Sequence, residues 1–275
     1  MEDIVIRSIT QNDFLGIQHI HRNSKDPWNN LEECTSWLSK RMERGFYIQV
    51  ALVNNNIVGH GEWIESREGR DLFFYLGLLE IDEDYRNRGI GRRMIEEGIK
   101  YAKELGCNRV VTIPEHENNS IEFYKKCGFV VGRTIKKVVI PSFDYEYSQN
   151  YIEANGISFD RVKESKFVFG LSQASSRHMC ELLNAKPTTD DRVTKSLVSN
   201  DGDSIQLGWF EKANALALYW SDFIHSNCVK DILTFGYRLG IKQVTFVYFE
   251  AYDSLFHGFE CQSISESIEI YRNIS

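Results

Sequence analysis

The chain has 275 residues, 42% hydrophobic and 26% charged, a globular balance with material for two domains. Its 32 Lys and Arg against 39 Asp and Glu give a formal charge of -7, which argues against a nucleic-acid binder working through a general basic surface. No run of about 18 apolar residues occurs, so no membrane span is expected. The acidic start Met1-Glu2-Asp3-Ile4 lacks an apolar leader, and the expected location is cytoplasmic. The cysteines at 34, 107, 127, 180, 228 and 261 form no CxxC unit, so reduced, mostly buried thiols are expected rather than a disulfide scaffold or zinc ribbon.

Ile4 to Ile6 reads as a short strand. Asn12-Asp13 opens a helix carrying Phe14, Ile17 and Ile20. Asn30 is a plausible N-cap for a helix from Leu31 to Arg41. Phe46 to Val53 and Ile57 to Ile64 form a hairpin around Asn54-Asn55-Asn56. Leu72 to Ile81 is apolar on both faces, as a central strand is. A helix follows to Leu105 and stops at Gly106. Val110 to Ile113 is a strand, Ser120 to Lys126 a helix, and Phe129 to Ile140 a strand. The expectation is an α/β mixed sheet with helices on both faces.

Gly89 and Gly91 open a helix directly after a buried strand, within Arg86-Asn87-Arg88-Gly89-Ile90-Gly91-Arg92-Arg93. Unpaired N–H groups and the helix dipole favour a phosphate there, and four arginines add charge. No Gly-Lys-Ser or Gly-Lys-Thr follows, so the loop is not a P-loop, and without a third glycine it is a poor dinucleotide fingerprint. From this local pattern alone, a phosphate cradle and a plain strand-to-helix turn with solvent-facing arginines stay level.

Three segments together are more specific. Arg86-Asn87-Arg88-Gly89-Ile90-Gly91 resembles the signature of the GNAT superfamily of N-acetyltransferases. Leu79 to Tyr85 is similar to that family's central strand and its approach to the loop, and Ser120 to Phe129 to its late helix and following Gly-Phe. The resemblance covers residues 1 to 140 and implies the acyl-CoA N-acyltransferase fold and acetyl-CoA as co-substrate. It implies that the backbone around Arg88, Gly89, Ile90 and Gly91 holds the pyrophosphate, with Arg86, Arg92 and Asn119 as further cofactor-binding residues. The main chain of Leu79 and Ile81 would pair with the pantetheine arm, where the strands of Leu79 and Val111 splay apart. Tyr124 matches the tyrosine that protonates or hydrogen-bonds the leaving sulfur in many members. The asparagine usual seven residues earlier is Glu117 here, with Asn118 and Asn119 following. Glu80 is the first candidate base for the amine, with Glu62, Tyr75 and His60 as alternatives. No metal is implied, and His19 and His21, two apart on a helix, are poor joint ligands. Trp28, Trp37 and Trp63 could equally shape a substrate cleft or pack, His116 is read as a surface residue, and Cys127 as packing.

The second part echoes the first. Phe143 to Tyr151 is read as completing the first domain's last strand. Lys166 to Leu171 reads as a strand and Ser172 to Ala185 as a helix. Strands follow at Thr194 to Val198, Ser204 to Phe210 and Ala215 to Trp220. Then come a helix from Cys228 to Leu239, a strand from Gln243 to Phe249, a short helix from Tyr252 to His257, and a closing strand from Ile264 to Ile270. Leu239-Gly240-Ile241-Lys242-Gln243-Val244 lines up with Leu105-Gly106-Cys107-Asn108-Arg109-Val110. The expectation is two tandem copies: residues 1–145 as the acetyl-CoA-binding domain, 146–165 as connector and 166–275 as a degenerate copy. Ser221 to Cys228 has neither glycine nor arginine, and Phe256 or Leu255 stands where Tyr124 would, so this copy is expected to lack catalysis. The function expected is acetyl transfer from acetyl-CoA to a primary amine of a small molecule or peptide, by direct attack in a ternary complex. The alternative is an acyl-CoA-binding regulatory protein without turnover. A homodimer is left open, and no membrane or nucleic-acid partner is expected.

Overall fold

The computed structural model describes residues 3–23, 30–43, 45–68, 71–114, 118–155, 192–210, 214–221 and 226–274. The first strand, β1 (Ile4–Ser8), runs into a turn where the Asp13 carboxylate accepts from the Thr10 backbone N–H at 2.7 Å and pairs with Arg7. That carboxylate closes a capping box and starts the 3-10 turn leading into α1 (Phe14–Ile20). Asn30 Oδ1 accepts from the Glu33 N–H at 2.9 Å and caps α2 (Leu31–Glu43), as its place in the sequence predicts. The hairpin of β2 (Tyr47–Val53) and β3 (Asn56–Glu68) turns through Asn54 and Asn55, both at positive φ. β4 (Asp71–Ile81) follows, then α3 (Ile90–Glu104), β5 (Arg109–Thr112), α4 (Asn118–Lys126) and β6 (Val130–Pro141).

Alternation along β2 sorts the layers. Ile48 and Val50 pack with Phe14, Ile17, Cys34 and Leu38 under α1 and α2. Ala51 and Val53 pack with Ile90 and Met94 of α3 on the opposite face. Gly98 lets α3 lie on the fully buried Trp63 ring, since a Cβ there would collide with the indole.

The remaining elements are β7 (Tyr151–Asn155), β8 (Arg192–Ser199), β9 (Ser204–Phe210), β10 (Ala215–Ser221), α5 (Ser226–Arg238), β11 (Gln243–Phe249), a 3-10 turn (Glu250–Phe256) and β12 (Ser263–Asn273). Among the described residues twelve strands join one sheet, in the order β1-β2-β3-β4-β5-β12-β6-β11-β10-β9-β8-β7. The order is palindromic about the antiparallel pair β12–β6. β12 pairs with β5 through Ile270↔Thr112, and β6 pairs with β11 through Val138↔Phe246. The last strand therefore does not extend the second run of strands, as its position in the chain suggests. It completes the first, while β6 completes the second. Residues 142–150 are not strand; β7 pairs with β8 rather than prolonging β6.

The two runs share local detail. β4 pairs with β5 in parallel at residues 73–75 with 109–111, and β10 pairs with β11 in parallel at 215–217 with 243–245. β4 and β10 then each bulge, at Gly77 and at Tyr219. Gly106 and Gly240 end α3 and α5 in the same way: each glycine N–H donates to the carbonyl three residues back, and the next residue, Cys107 or Ile241, donates to the carbonyl five residues back from itself. Lys166 to Leu171 and Ser172 to Ala185 lie outside the described residues. Among the described residues, no helix is long and apolar enough to cross a membrane.

Candidate functional site

Parallel pairing between β4 and β5 stops at Tyr75↔Val111, yet β4 runs on to Ile81. The strands splay from there. Thr112 Oγ1 donates to the Leu76 carbonyl at 2.9 Å and closes the base of the gap. The ladder to β3 decides which main-chain groups face it. Ile81 stands opposite Gly59, and the Asp82 N–H donates to the Val58 carbonyl at 3.0 Å. In an antiparallel ladder hydrogen-bonded pairs alternate, so Glu80 and Asp82 are turned to β3 and Leu79 and Ile81 away from it, toward the gap. The Ile81 carbonyl confirms the direction by accepting from Arg86 Nε at 3.0 Å.

The loop after β4 is self-braced. Asp82 Oδ1 accepts from the Asp84 N–H at 3.0 Å, and Arg88 donates to the Asp84 carbonyl at 2.9 Å with its guanidinium over the Tyr85 ring. Gly89 caps α3 at φ 80°, a conformation costly for other residues, and the space a Cβ would enter there is open. Gly91 plays another part: a Cβ would meet Phe123 of α4 at 3.1 Å, so this glycine seats α4 against α3. Ile90 is buried beneath the loop. The first-turn N–H groups of α3 have no helical acceptor and face outward from its start. Arg92 and Arg93 are exposed in that turn, where cations oppose the macrodipole and no acidic residue offsets them. Together these features fit a bound polyanion. Asn119 lies in the first turn of α4; its side chain, like Glu117, His116 and Trp28, lies outside what the structure describes.

Tyr124 of α4 is buried, with its ring edge-on to Phe123 and Phe129 and its hydroxyl hydrogen-bonded to the Thr112 side chain. Through this contact with Thr112, whose own hydroxyl donates to Leu76, Tyr124 sits at the base of the splay. Burial pushes its hydroxyl pKa up, which keeps the proton on. Burial also pushes Tyr75 up to about 12, opposed by Arg41 and reinforced by Glu269. Cys127 is buried with its thiol pushed up by burial, and it packs beside Tyr124.

On the α1–α2 face, Glu80 forms an ion pair with Arg86 at 2.8 Å and is partly exposed. Glu62 is 3% exposed on β3, opposite Leu78 and beside the Gly77 bulge. Arg41 Nε reaches its Oε2 at 3.0 Å and Trp37 Nε1 donates to its Oε1 at 3.4 Å. Behind it, His60 and His21 share a 2.9 Å hydrogen bond. Burial raises the Glu62 pKa, against the pull of Arg41 and Trp37. Burial lowers His21 to about 4 and His60 well below its ordinary value. Farther along the same face, buried Glu269 of β12 makes a two-pronged pair with Arg133, whose guanidinium stacks on Phe249 at 3.6 Å. Arg41, Thr112 and Glu269 have no sequence signal that marks them. They come from α2, β5 and β12, elements far apart in the chain. Among the described residues no group of three or more His, Cys, Asp and Glu could hold a metal.

Residues 11–129 match the family model for the acetyltransferase (GNAT) family. An uncharacterized N-acetyltransferase of Methanocaldococcus jannaschii is 37% identical over 106 residues, 36% of this chain and 45% of its own. The histone acetyltransferase MCC1 of Arabidopsis thaliana is 27% identical over 146 residues, 51% of this chain and 58% of its own. The chain thus spans about half the length of these curated relatives. Two GCN5-related N-acetyltransferase structures share the fold across 99% of this chain. That from Anabaena variabilis has a TM-score of 0.72 at 14% identity and 73% of its chain covered. That from Kribbella flavida has a TM-score of 0.68 at 12% identity and 71% covered. The N-terminal region carries the GNAT acetyltransferase fold.

Proposed function

We propose that the protein transfers an acetyl group from acetyl-CoA to a primary amine of a small molecule or peptide, by direct attack in a ternary complex. The observation that carries this reading is the splay of β4 from β5 with the main chain of Leu79 and Ile81 turned into it, directly before the start of α3. In this reading the pantetheine arm pairs with β4 as a strand would. The pyrophosphate takes the N–H groups around Arg88, Gly89, Ile90 and Gly91, with Arg86, Arg92 and Asn119 around it. Tyr124 gives its proton to the departing sulfur. Glu80, the first candidate base in the sequence, draws the ammonium toward the α2 side while paired with Arg86.

We read residues 166–275 as a diverged second copy, joined to residues 1–145 by a connector at 146–165. The coincident parallel pairing, bulges and helix-ending glycines support this. That copy carries no acetyl-transfer chemistry in this reading, since Phe256 has no proton to give. The partners proposed are the amine acceptor and acetyl-CoA.

Calorimetric titration of acetyl-CoA into the whole chain tests the reading, with one site per chain expected. Gly91→Glu is a poor control because it also disturbs Phe123. The double variant Arg92→Glu, Arg93→Glu is better. It places acid at a helix start, which favours folding, so a loss of affinity of about tenfold or more reports on the ligand and not on unfolding. Absence of binding to the intact, folded protein would sink the acetyltransferase assignment.

A further inference from the structure

Resting on the acetyltransferase reading, we propose that Glu62 is the catalytic residue that takes the acceptor's ammonium proton, and that His60 and His21 are positioning residues that hold its carboxylate. Glu62 stands opposite Leu78 where the Gly77 bulge turns β4 away from β5, on the face opposite α3. An amine attacking a thioester in the splay from the α2 side passes over this position. Glu80 reaches the same face but is held by Arg86 at 2.8 Å.

The groups facing Glu62 are His60 on its own strand, His21 after α1, Cys34, Trp37 and Arg41 of α2, and Tyr75 and Glu80 of β4. Arg41 holds Oε2, while Oε1 faces Trp37 Nε1 at 3.4 Å and His60 Nε2 at 3.6 Å. A plain structural ion pair needs no imidazoles behind it. Here two rings, 0% and 3% exposed, form a contact chain behind this carboxylate. Only one proton fits between His21 Nε2 and His60 Nδ1. When His21 donates it, His60 keeps its proton on Nε2, aimed at Glu62 Oε1. In that tautomer His60 turns a neutral N–H toward the carboxylate, in contact at 3.6 Å but beyond hydrogen-bond reach.

The chemistry balances. The carboxylate takes one proton from R–NH3+, leaving R–NH2. The nitrogen lone pair forms the N–C bond, the C–S bond breaks with its electrons on sulfur, and Tyr124 protonates the thiolate. The tyrosinate recovers a proton from the new amide nitrogen, and Glu62 releases its proton to solvent.

Two measurements on the whole chain test this. With side-chain carboxyls labelled with carbon-13 and acetyl-CoA present, the Glu62 resonance is identified by its loss in Glu62→Gln. It should titrate above the ordinary carboxylate range, and His60→Leu and His21→Leu should each raise it further by removing or unlocking the donor. His60→Gln, which keeps a donor, should leave it near the wild-type position and guards against misfolding of the Leu variants. With tyramine and spermidine as probe amines, thiol release should fall about 10²- to 10⁴-fold in Glu62→Gln at unchanged acetyl-CoA affinity. His21→Leu should move the acid limb of the pH profile upward. An ordinary Glu62 titration, or one indifferent to both histidines, overturns the proposal whether or not either amine is turned over. Absence of turnover with a raised, histidine-dependent titration counts against the acetyltransferase reading instead.

Discussion

Gly98 and Trp63 show how little room single positions leave. The indole is fully buried against the α3 backbone, and a methyl at 98 would sit inside it. Gly98→Ala should destabilise the protein by about 1–3 kcal/mol, read as a lower urea midpoint at unchanged slope, even though alanine is the better helix former. Tyr124→Phe should do the reverse. It removes one hydroxyl from the base of the splay and should lower turnover by about 10²-fold or more while leaving acetyl-CoA binding and melting nearly unchanged. His21 carries a stability prediction with a definite sign. Its folded value, about 4, lies below its ordinary 6.5, so the unfolded chain binds the proton first as pH falls. Stability contributed by its neutral form is present above the ordinary value and is lost between the two. By about pH 5 the loss should reach roughly 2 kcal/mol. The raised value of Glu62 acts oppositely, since the folded state holds that proton more readily and gains stability on acidification. Urea midpoints at pH 7 and pH 5 should therefore converge in His21→Gln relative to the wild-type chain. At this scale the sequence marks Tyr124 and the glycine loop, because each lies in a contiguous motif. Arg41 and Thr112 carry no such mark, because their importance comes from neighbours 21 residues away at Glu62 and 36 away at Leu76.

Elements were legible where their code is local. α2 has its Asn30 cap and α3 its glycine start and Gly106 stop, and both form close to where periodicity places them. The partner of an apolar strand is another matter. β6 and β12 both read as ordinary late strands, and nothing in alternation says which edge each will join. The segment 142–150 shows a related limit. Its aromatic residues suggest a continuing strand, yet it is held to α5 by side chains. Asp231 of α5 accepts from the Ser148 N–H at 2.7 Å, the Ser148 hydroxyl at 2.6 Å and the Tyr151 hydroxyl at 2.7 Å, and Thr234 accepts from the Tyr145 N–H. Asp231 is fully buried, so these donors replace its water entirely. Asp231→Ala should cost about 2–4 kcal/mol and release this strap first, seen as early hydrogen exchange at Ser148 and through β7. Ser148→Ala should cost less, since the Tyr151 hydroxyl and the Ser148 N–H remain.

The palindromic sheet sets the behaviour of the whole molecule. Because β12 sits between β5 and β6, the strand that flanks the splay comes from the far end of the chain. Arg272 fastens it by donating to the Cys127 carbonyl at 2.7 Å, at the end of α4, and to Glu96 of α3 at 2.8 Å. Ile270 and Ile274 join the core under Tyr124. The proposed catalytic half is thus built around residues from its neighbour, and the reverse holds for β6, which lies between β12 and β11. Two consequences follow from exchanged strands. The intact chain should unfold in one cooperative step, with tryptophan fluorescence and far-ultraviolet dichroism changing together along urea. A fragment of residues 1–145 should not behave as a domain. It would expose the β5 edge and leave β6 without either partner, and a bare apolar edge invites self-association. Such a fragment should aggregate or dimerise and should bind acetyl-CoA far more weakly than the whole chain. A monomeric fragment with wild-type affinity would show that the exchanged strand is dispensable to the site. Removing residues 263–275 alone is the sharper version, because it spares every residue of the loop and splay and takes away only the strand that holds β5 in register.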